Sequence, residues 1–394
     1  MRYAGLASGK FSVIVAALVY CLSAFPILAN AQGTESQNAV CSSTSGCSTT
    51  VGSSGFFDAS MFLPPNSTQA TDICDALYGL FSGRRGFPAY PSTGAVVDAR
   101  GISGTTNLTC TKGSPWTEST TTVNVPSTIL FPPGTIVIPT TWVLPPNTKL
   151  IGVGDNIGSG TTIQAKASSF QTGTAMIQFG ASSLCTSACT GISVENLNLD
   201  GHGQAIGGIA NGFSQDLSYV DHVSLYQILG TGLSVSGNAK NSGPYSNITF
   251  DLGGASGSSL THCASINGLT STRGIRNLTC ISESNDLPAA VLLDSSNNLL
   301  KDVSIAGFYD GILVGANAPA QSNVLVNIVG DTSTCQPVCP NPIRAIHISS
   351  NKTSGNNNVS DLSIMGVAND APPGPYTISD DLTGTQITDP HVPA

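Results

Sequence analysis

The chain repeats one short pattern of polar and apolar positions through its C-terminal half. A polar residue, usually Asn or Asp, is followed by apolar-any-apolar, and the pattern returns after 26, 25, 30, 25, 25 and 34 residues. Apolar positions that alternate with period two predict short β-strands, and the near-constant interval predicts one structural unit per repeat. The polar positions are Asn196, His222, Asn247, Asn277, Asp302, Asn327 and Asp361.

A second series of apolar strands lies between these patterns and has the same period. Each repeat therefore carries at least two strands, with Gly and Asn residues suited to the corners between them. A unit of about 25 residues cannot bury its own apolar face, so successive units must stack. Stacking of this kind predicts a parallel β-helix, in which each strand pairs with its counterpart one coil away at ~4.8 Å and the polar positions form a hydrogen-bonded ladder.

The N-terminal third of the chain predicts the first coils and a cap. Short apolar runs follow Pro-rich turns in "FPPGTIVIP" at 131–139 and "LPPNTKLIGVG" at 144–154. Residues 72–90 contain the best helical candidate, which would cover the open edge of the first coil. We predict an all-β domain over residues 71–394, a parallel β-helix with an N-terminal capping helix and a C-terminal tail.

The first 31 residues have the layout of a secretory signal peptide. Arg2 and Lys10 precede an apolar run that ends in Ala29-Asn30-Ala31, which predicts cleavage near Ala31. Residues 32–70 are rich in Ser, Thr and Gly without periodicity and predict a flexible segment. No later stretch has the roughly 20 apolar residues of a membrane span. We expect a secreted protein, extracellular or periplasmic, with no membrane insertion.

The cysteines agree with export. The chain has 11, and the ten that follow Cys21 are even in number and widely scattered, which favours disulfides over a metal site. We therefore expect no bound metal. The pairs suggested by proximity are Cys41/Cys47, Cys74/Cys110, Cys185/Cys189, Cys263/Cys280 and Cys335/Cys339.

Composition excludes one class of partner. Only 9% of residues are charged and the net charge is −9, so the chain has no basic patch for nucleic acid. A monomer is expected, although the sequence leaves the oligomeric state open.

The segments "FPPGTIVI", "WVLPPNTKLIGVG" and "TTIQA" resemble the opening of pectate-lyase-like, rhamnogalacturonase/epimerase-type β-helix proteins, which include relatives of family 28 glycoside hydrolases. The resemblance covers residues 90–370 in period but only 131–165 in motif. It implies a right-handed single-stranded β-helix that acts on polysaccharide. Of the hydrolase motifs, Gly201-His202-Gly203 matches Gly-His-Gly, whereas Asn-Thr-Asp, Asp-Asp and Arg-Ile-Lys have no counterpart.

The position just after each apolar-any-apolar pattern supplies candidates for chemistry. Asp200, Tyr226 and Asp251 occupy it in three successive repeats, followed by Ile281, Ala306 and Met365. Two coils separate positions by ~9–10 Å, slightly wide of the ~6.5–9.5 Å that separates the carboxyl groups of inverting glycosidases. Tyr226 offers a ring for stacking on a sugar. The alternative is that the aspartates simply cap turns.

Residues 195–251 concentrate titratable groups, which is a modest sign of function. Asp216, Asp221 and His202 join Asp200 and Asp251 as catalytic candidates, and His222 joins Tyr226 as a candidate for substrate binding. His222 also takes a ladder position, which favours a structural role. His347 lies between two apolar residues and is expected to face solvent.

These observations favour a secreted glycoside hydrolase that acts on a pectin-like or other plant polysaccharide and needs no cofactor. The alternative is a non-catalytic glycan-binding or adhesive β-helix. A polysaccharide lyase is the third possibility, and it would use Arg273 or Arg276 as base and Ca²⁺ held by Glu283 and Asp286.

Overall fold

The computed structural model describes residues 55–62, 72–84, 90–102, 108–331, 344–349, 359–360, 363–369 and 378–380, apart from gaps at 112, 119, 157, 238, 240, 259, 269–272 and 283–286. All of these residues belong to one compact unit, Ser48–Ala394. The predicted signal peptide, the Cys41/Cys47 and Cys335/Cys339 pairs, Glu283, Asp286 and Asp361 lie outside the described residues.

The N-terminal part forms the predicted cap. Asp72 begins the helix by accepting a hydrogen bond from the backbone N–H of Asp75, and Leu77 and Leu80 are fully buried against the first coils. Residues 56–62 lie in the segment that the sequence predicts to be flexible, but they form a strand that pairs with the first coil and a following turn. The elements are β1 (Phe56–Asp58), a 3-10 helix (Ala59–Phe62), α1 (Ile73–Phe81), β2 (Ala95–Asp98), β3 (Leu108–Thr109), β4 (Gly113–Ser114), β5 (Thr117–Glu118) and β6 (Thr121–Thr122).

The strands of the coils follow in chain order. They are β7 (Ser127–Leu130), β8 (Gly134–Ile138), β9 (Trp142–Leu144), β10 (Thr148–Ile151), β11 (Thr161–Ala165), β12 (Ala175–Phe179), β13 (Ser193–Gln204), β14 (Gly207–Asn211), β15 (Tyr219–Ile228), β16 (Thr231–Ser236), β17 (Tyr245–Asp251), β18 (His262–Asn267), β19 (Ile275–Ile281), β20 (Leu287–Leu293), β21 (Leu299–Ala306), β22 (Phe308–Val314), β23 (Ala320–Gln321), β24 (Val324–Asp331), β25 (Arg344–Ile348), β26 (Val359–Ser360), β27 (Ser363–Asn369) and β28 (Ile378–Asp380).

Two long parallel sheets run the length of the described coils. One follows the order β1-β2-β7-β10-β13-β15-β17-β19-β21-β24-β27, and the other the order β28-β25-β22-β20-β18-β16-β14-β12-β9. Each neighbour in these lists is the equivalent strand of the next coil, and antiparallel pairing among the described strands occurs only in the small β4-β5-β6 sheet. The protein is a right-handed parallel β-helix. The repeat predicts the stacked parallel coils, and the family resemblance implies their hand.

Each middle coil has three faces because its longer strand bends at the ladder residue. We call the half before this residue face 1, the half after it face 2, and the sheet that contains β9 and β18 face 3. The pairing runs Glu195 to Asp221 before the corner and Leu197 to Val223 after it. The corner residues all have a left-handed backbone, with φ of 54° at Asn196, 51° at His222, 53° at Asn247, 52° at Asn277, 57° at Asp302 and 54° at Asn327.

The ladder is hydrogen-bonded in part. Asn277 Nδ2 donates to Asn247 Oδ1 at 2.7 Å, and Asn327 Nδ2 donates to Asp302 Oδ1 at 2.8 Å. The ladder is interrupted at His222. Asn247 Nδ2 donates to Asp221 Oδ1 at 2.7 Å, whereas the Nδ1 of His222, the ladder residue of that coil, lies 3.4 Å away.

The last predicted repeat is wrong by several residues. Val326 pairs with Met365 and Ile328 with Val367, so Met365 lies on face 1 and not in the column that contains Asp200. Burial of Ile364 inside the coil sets this register. The polar-apolar pattern at 361–364 fits equally well locally, but the connection after β24 is longer than the repeat assumes.

Three predicted disulfides are confirmed, namely Cys74–Cys110, Cys185–Cys189 and Cys263–Cys280. Disulfides of this kind are stable in an oxidising compartment. Among the described residues, no helix combines the length and apolar character needed to cross a membrane.

Candidate functional site

Face 2 presents two columns of side chains that run parallel to the coil axis. Residues two positions apart on a strand share a face, so each coil adds one residue to each column. The first, which we call the hydroxyl column, contains Thr162, Asn198, Ser224, Thr249, Thr279 and Ser304. The second, the carboxylate column, contains Gln164, Asp200, Tyr226, Asp251, Ile281 and Ala306.

The predicted alignment of Asp200, Tyr226 and Asp251 is therefore correct through Ala306. Strands pair at ~4.8 Å, so the backbones of Asp200 and Asp251 lie ~10 Å apart with Tyr226 between them. The pairing itself is direct, Asp200 with Tyr226 and Tyr226 with Asp251.

Both aspartates cap the turns that follow their strands. Asp200 Oδ1 accepts a hydrogen bond from the backbone N–H of His202 at 2.8 Å, and its Oδ2 accepts one from Gln164 Nε2 at 2.6 Å. Asp251 Oδ1 accepts from the backbone N–H of Gly253 at 2.8 Å. A carboxylate bonded to the amide two residues on is an Asx turn, so the structural role that the sequence left open is present at both positions.

The ring of Tyr226 lies against the turn of the next coil. A Cβ atom added to Gly253 would come within 2.4 Å of this ring, and Gly253 has a φ of +54°. Only glycine combines that backbone with so close an approach. The ring therefore packs against this turn and remains partly exposed.

Asn198 is the one fully buried member of the hydroxyl column. Neither its Nδ2 nor its Oδ1 has a hydrogen-bond partner. An unsatisfied buried polar atom costs about 1–3 kcal/mol. This cost falls two residues from Asp200, on a side chain that is covered and does not reach the surface of face 2.

The other predicted residues are not brought to this site, with one exception. The exposed His202 follows Asp200 in the same turn. Asp216 lies in an exposed turn between β14 and β15, where its carbonyl accepts from the N–H of Gly191. Asp221 lies on face 1, and His222 at the corner.

Asp221 and His222 form a separate, well-bonded pair. Asp221 Oδ2 lies 2.9 Å from His222 Nδ1, and its Oδ1 accepts from Ser246 Oγ at 2.7 Å. Burial alone would raise the pKa of Asp221, but the hydrogen bonds from Ser246, His222 and Asn247 outweigh it and lower that pKa.

His347 does not simply face solvent, which corrects the expectation from the sequence. Its Nδ1 lies 2.9 Å from Asp310 Oδ2, and only 13% of its side chain is exposed. Arg344 contacts the same carboxylate at 2.5 and 3.1 Å and lies 5.0 Å over the ring of Tyr309. This cluster joins β22 to β25 on face 3, away from the two columns.

Face 2 is polar but carries no positive charge. Within the described coils neither column contains Lys or Arg, whereas Asp200 and Asp251 add negative charge. Among the described residues no group of three or more His, Cys, Asp or Glu side chains is arranged to hold a metal ion.

The hydroxyl column is not among the candidates predicted from the sequence, although the repeat contains a signal for it. Its members are the middle residues of the apolar-any-apolar pattern, and they are Asn, Ser or Thr in five successive repeats. The predicted candidates lie at the position after the pattern, because that position holds the carboxylates.

Comparison with known proteins gives neither a family nor a function. No protein-family model matches the chain, and no curated protein sequence does. The A-module of mannuronan C-5 epimerase AlgE4 from Azotobacter vinelandii is similar in structure, with a TM-score of 0.38, 14% identity, and coverage of 84% of this chain and 97% of that one. The AlgE6 A-module from the same organism has a TM-score of 0.38 and 15% identity, with coverage of 84% and 93%.

The ORF18 protein of Geobacillus virus E2 has a TM-score of 0.36 and 11% identity, with coverage of 85% of this chain and 60% of that one. Likenesses this low leave ligand and activity open. Membership of the pectate-lyase-like family therefore remains an interpretation of residues 131–165.

Proposed function

We propose that this protein binds a neutral polysaccharide along face 2, with the sugar chain parallel to the coil axis. The observation that carries the proposal is the pair of polar columns with the ring of Tyr226 between Asp200 and Asp251. Aromatic rings stack on sugar faces, while hydroxyl, amide and carboxylate groups bond sugar hydroxyls. Each coil adds one residue to each column, and such a regular array suits a polymer built from repeated sugar units.

The charge of face 2 favours a neutral ligand over a pectin-like one. The carboxylates of Asp200 and Asp251, with no Lys or Arg among the described column residues, would repel a uronic acid polymer. This argues against the acidic substrate that the sequence resemblance favours.

Binding can be tested by titrating neutral and acidic polysaccharides and measuring affinity by calorimetry. Tyr226→Ala removes the stacking ring and is expected to weaken binding about tenfold, since such contacts contribute about 1 kcal/mol or more. Ser224→Ala removes one hydroxyl from face 2, and Ser234→Ala removes one from face 3 of the same coil. Only the first of these two serine variants should weaken binding.

Three results would contradict the proposal. They are the absence of any polysaccharide that binds the wild type, equal effects of the two serine variants, and tighter binding of acidic than of neutral polymers.

Inverting hydrolysis by Asp200 and Asp251 is the second candidate, favoured by their two-coil separation on one column. This mechanism requires that each carboxylate act on the substrate while the same carboxylate also caps a turn. Asp200→Asn and Asp251→Asn variants should each abolish reducing-sugar release while Asp216→Asn retains it. If wild-type protein binds polysaccharide but releases no reducing sugar, the protein is a binding module.

A further inference from the structure

One column of face 1, just before the ladder, has a palindromic order of chemical types. Over nine successive coils it contains two apolar residues, two acids, a serine, two bases and two apolar residues. These are Leu130, Ile151, Glu195, Asp221, Ser246, Arg276, Lys301, Val326 and Met365. Reversing the order of these nine residues exchanges acids with bases and leaves the flanking apolar pairs unchanged. The column continues beyond Leu130 to Asp98 and Asp58, which lie outside this reversible segment.

We propose that face 1 pairs with face 1 of a second copy of this chain, with the two coil axes antiparallel. The two-fold axis runs parallel to the strands and passes Ser246. It sets Glu195 opposite Lys301 of the second copy and Asp221 opposite Arg276 of the second copy. The apolar ends meet in the same way, Ile151 opposite Val326 and Leu130 opposite Met365, which gives a self-complementary interface.

The basic half of the column is available for such contacts. Arg276 is exposed, and no hydrogen bond or ion pair joins it to any described residue. Lys301 is exposed, and its Nζ lies 3.9 Å from Asp302 Oδ2, its one ion pair with the part of the chain that the structure describes. Met365 is 43% exposed at the apolar end.

The acidic half is already held in position. Glu195 Oε1 accepts from Ser193 Oγ and from Tyr219 Oη, both at 2.7 Å, and Asp221 is fixed by Ser246 and His222. A carboxylate has about four acceptor sites, so each keeps capacity for a cation. Side chains that are fixed beforehand lose less entropy on binding.

Charge also selects the orientation. With parallel coil axes the same face would set acids against acids and bases against bases, which is disfavoured. The antiparallel pair makes four ion pairs, two for each half of the symmetric interface.

The size of the face predicts a weak dimer. Eight steps of ~4.8 Å give a strip ~38 Å long and, for three residues of strand, ~10 Å wide. A strip of this size buries less than the roughly 1,200 Å² of a standard specific interface. We therefore expect an association that depends on protein concentration and weakens with salt, because exposed ion pairs are screened.

Sedimentation equilibrium over a range of protein concentrations tests the interface without any polysaccharide, so its failure is distinct from failure of the proposed function. Arg276→Glu/Lys301→Glu makes the column wholly acidic, and Glu195→Lys/Asp221→Lys makes it wholly basic. Each variant alone should dimerise at least about tenfold more weakly than wild type, and an equimolar mixture should recover association. Lys166→Glu, an exposed residue outside face 1, should dimerise as wild type does.

A second measurement does not depend on charge. Ser246→Cys lies at the two-fold axis, so a short bifunctional thiol reagent should cross-link two chains, whereas Ser304→Cys on face 2 should not cross-link. Wild type that stays monomeric at about millimolar concentration and low salt would overturn the proposal. So would a mixture of the two charge variants that fails to associate, or equal cross-linking of the two cysteine variants.

Discussion

Single residues decide where each coil bends. The corner between faces 1 and 2 needs a residue with φ near +55°, a conformation that Asn, Asp and His tolerate better than most side chains. The sequence pattern explains the polar ladder through stacking hydrogen bonds alone, but the backbone supplies a second reason. It explains why His222 can substitute for Asn where a branched residue would be strained.

Asn198 carries a prediction about stability and binding together. Asn198→Leu replaces two unsatisfied buried polar atoms with an apolar group of similar shape, so the melting temperature should stay the same or rise. Polysaccharide affinity should stay the same, because the side chain is fully buried and does not reach a ligand on face 2. Thermal unfolding and calorimetry on the same sample check both effects, and a several-fold loss of affinity would contradict the second.

His262 predicts a dependence of stability on pH. It is buried and its Nδ1 lies 2.7 Å from the carbonyl oxygen of Ala289, to which the neutral ring donates. Burial lowers the pKa of His262, against smaller opposing effects of that hydrogen bond and of Asp294. A lowered pKa means that the folded state binds fewer protons than the unfolded state near pH 6.

The stabilisation is therefore fully present above the unfolded pKa of ~6.5 and is lost as the pH falls through the folded value. Urea unfolding of wild type should show this loss, and His262→Gln should lack it. A parallel decline in the two proteins would show that other groups cause it.

At the scale of the strand, the position of a residue relative to the bend decides which face its side chain joins. The strand β15 presents Asp221 to face 1 and Tyr226 to face 2, with His222 at the bend between them. One strand thus contributes to two surfaces that point in different directions. Residues close in sequence need not belong to one site, and this is why the predicted cluster at 195–251 divides.

His222→Asn restores the common ladder residue and should raise the free energy of unfolding by about 0.5–1 kcal/mol, because Asn accepts the left-handed backbone more readily. Polysaccharide affinity should be unchanged, since the ring lies away from both face 2 columns. Denaturant unfolding and the same calorimetry measure the two quantities. Weaker binding by this variant would return His222 to the list of binding residues.

At the scale of the whole molecule, a disulfide in the interior links two successive coils covalently. The disulfide Cys263–Cys280 joins β18 on face 3 to β19 on face 2 of the following coil, and both cysteines are fully buried. Cys185–Cys189 closes only a four-residue separation.

Replacing both members of Cys263–Cys280 with Ala should lower the free energy of unfolding by about 3 kcal/mol, because the bridge closes a longer loop, against about 2 kcal/mol for the Cys185–Cys189 pair. Reversible denaturation under oxidising conditions gives both values. A larger loss at Cys185–Cys189 would contradict the assignment of the core bridge as the stronger constraint.

The sequence predicts the coil and much of its register because a strand of fixed length and a buried alternation repeat every coil. Asp200, Tyr226 and Asp251 align as predicted since their coils differ only in the turns. The prediction fails at Met365, where a longer connection changes the count. It fails at His347 because alternation gives the direction of a side chain but not its neighbour Asp310, 37 residues earlier.

Because the distance between successive coils is constant, the number of coils sets the length of this molecule. Duplication of one 25-residue stretch in frame would add one residue to every column and leave the existing residues of the columns in place. The length of the surface that contacts a fibre would then increase by one coil at a time, and the packing of the interior would stay the same.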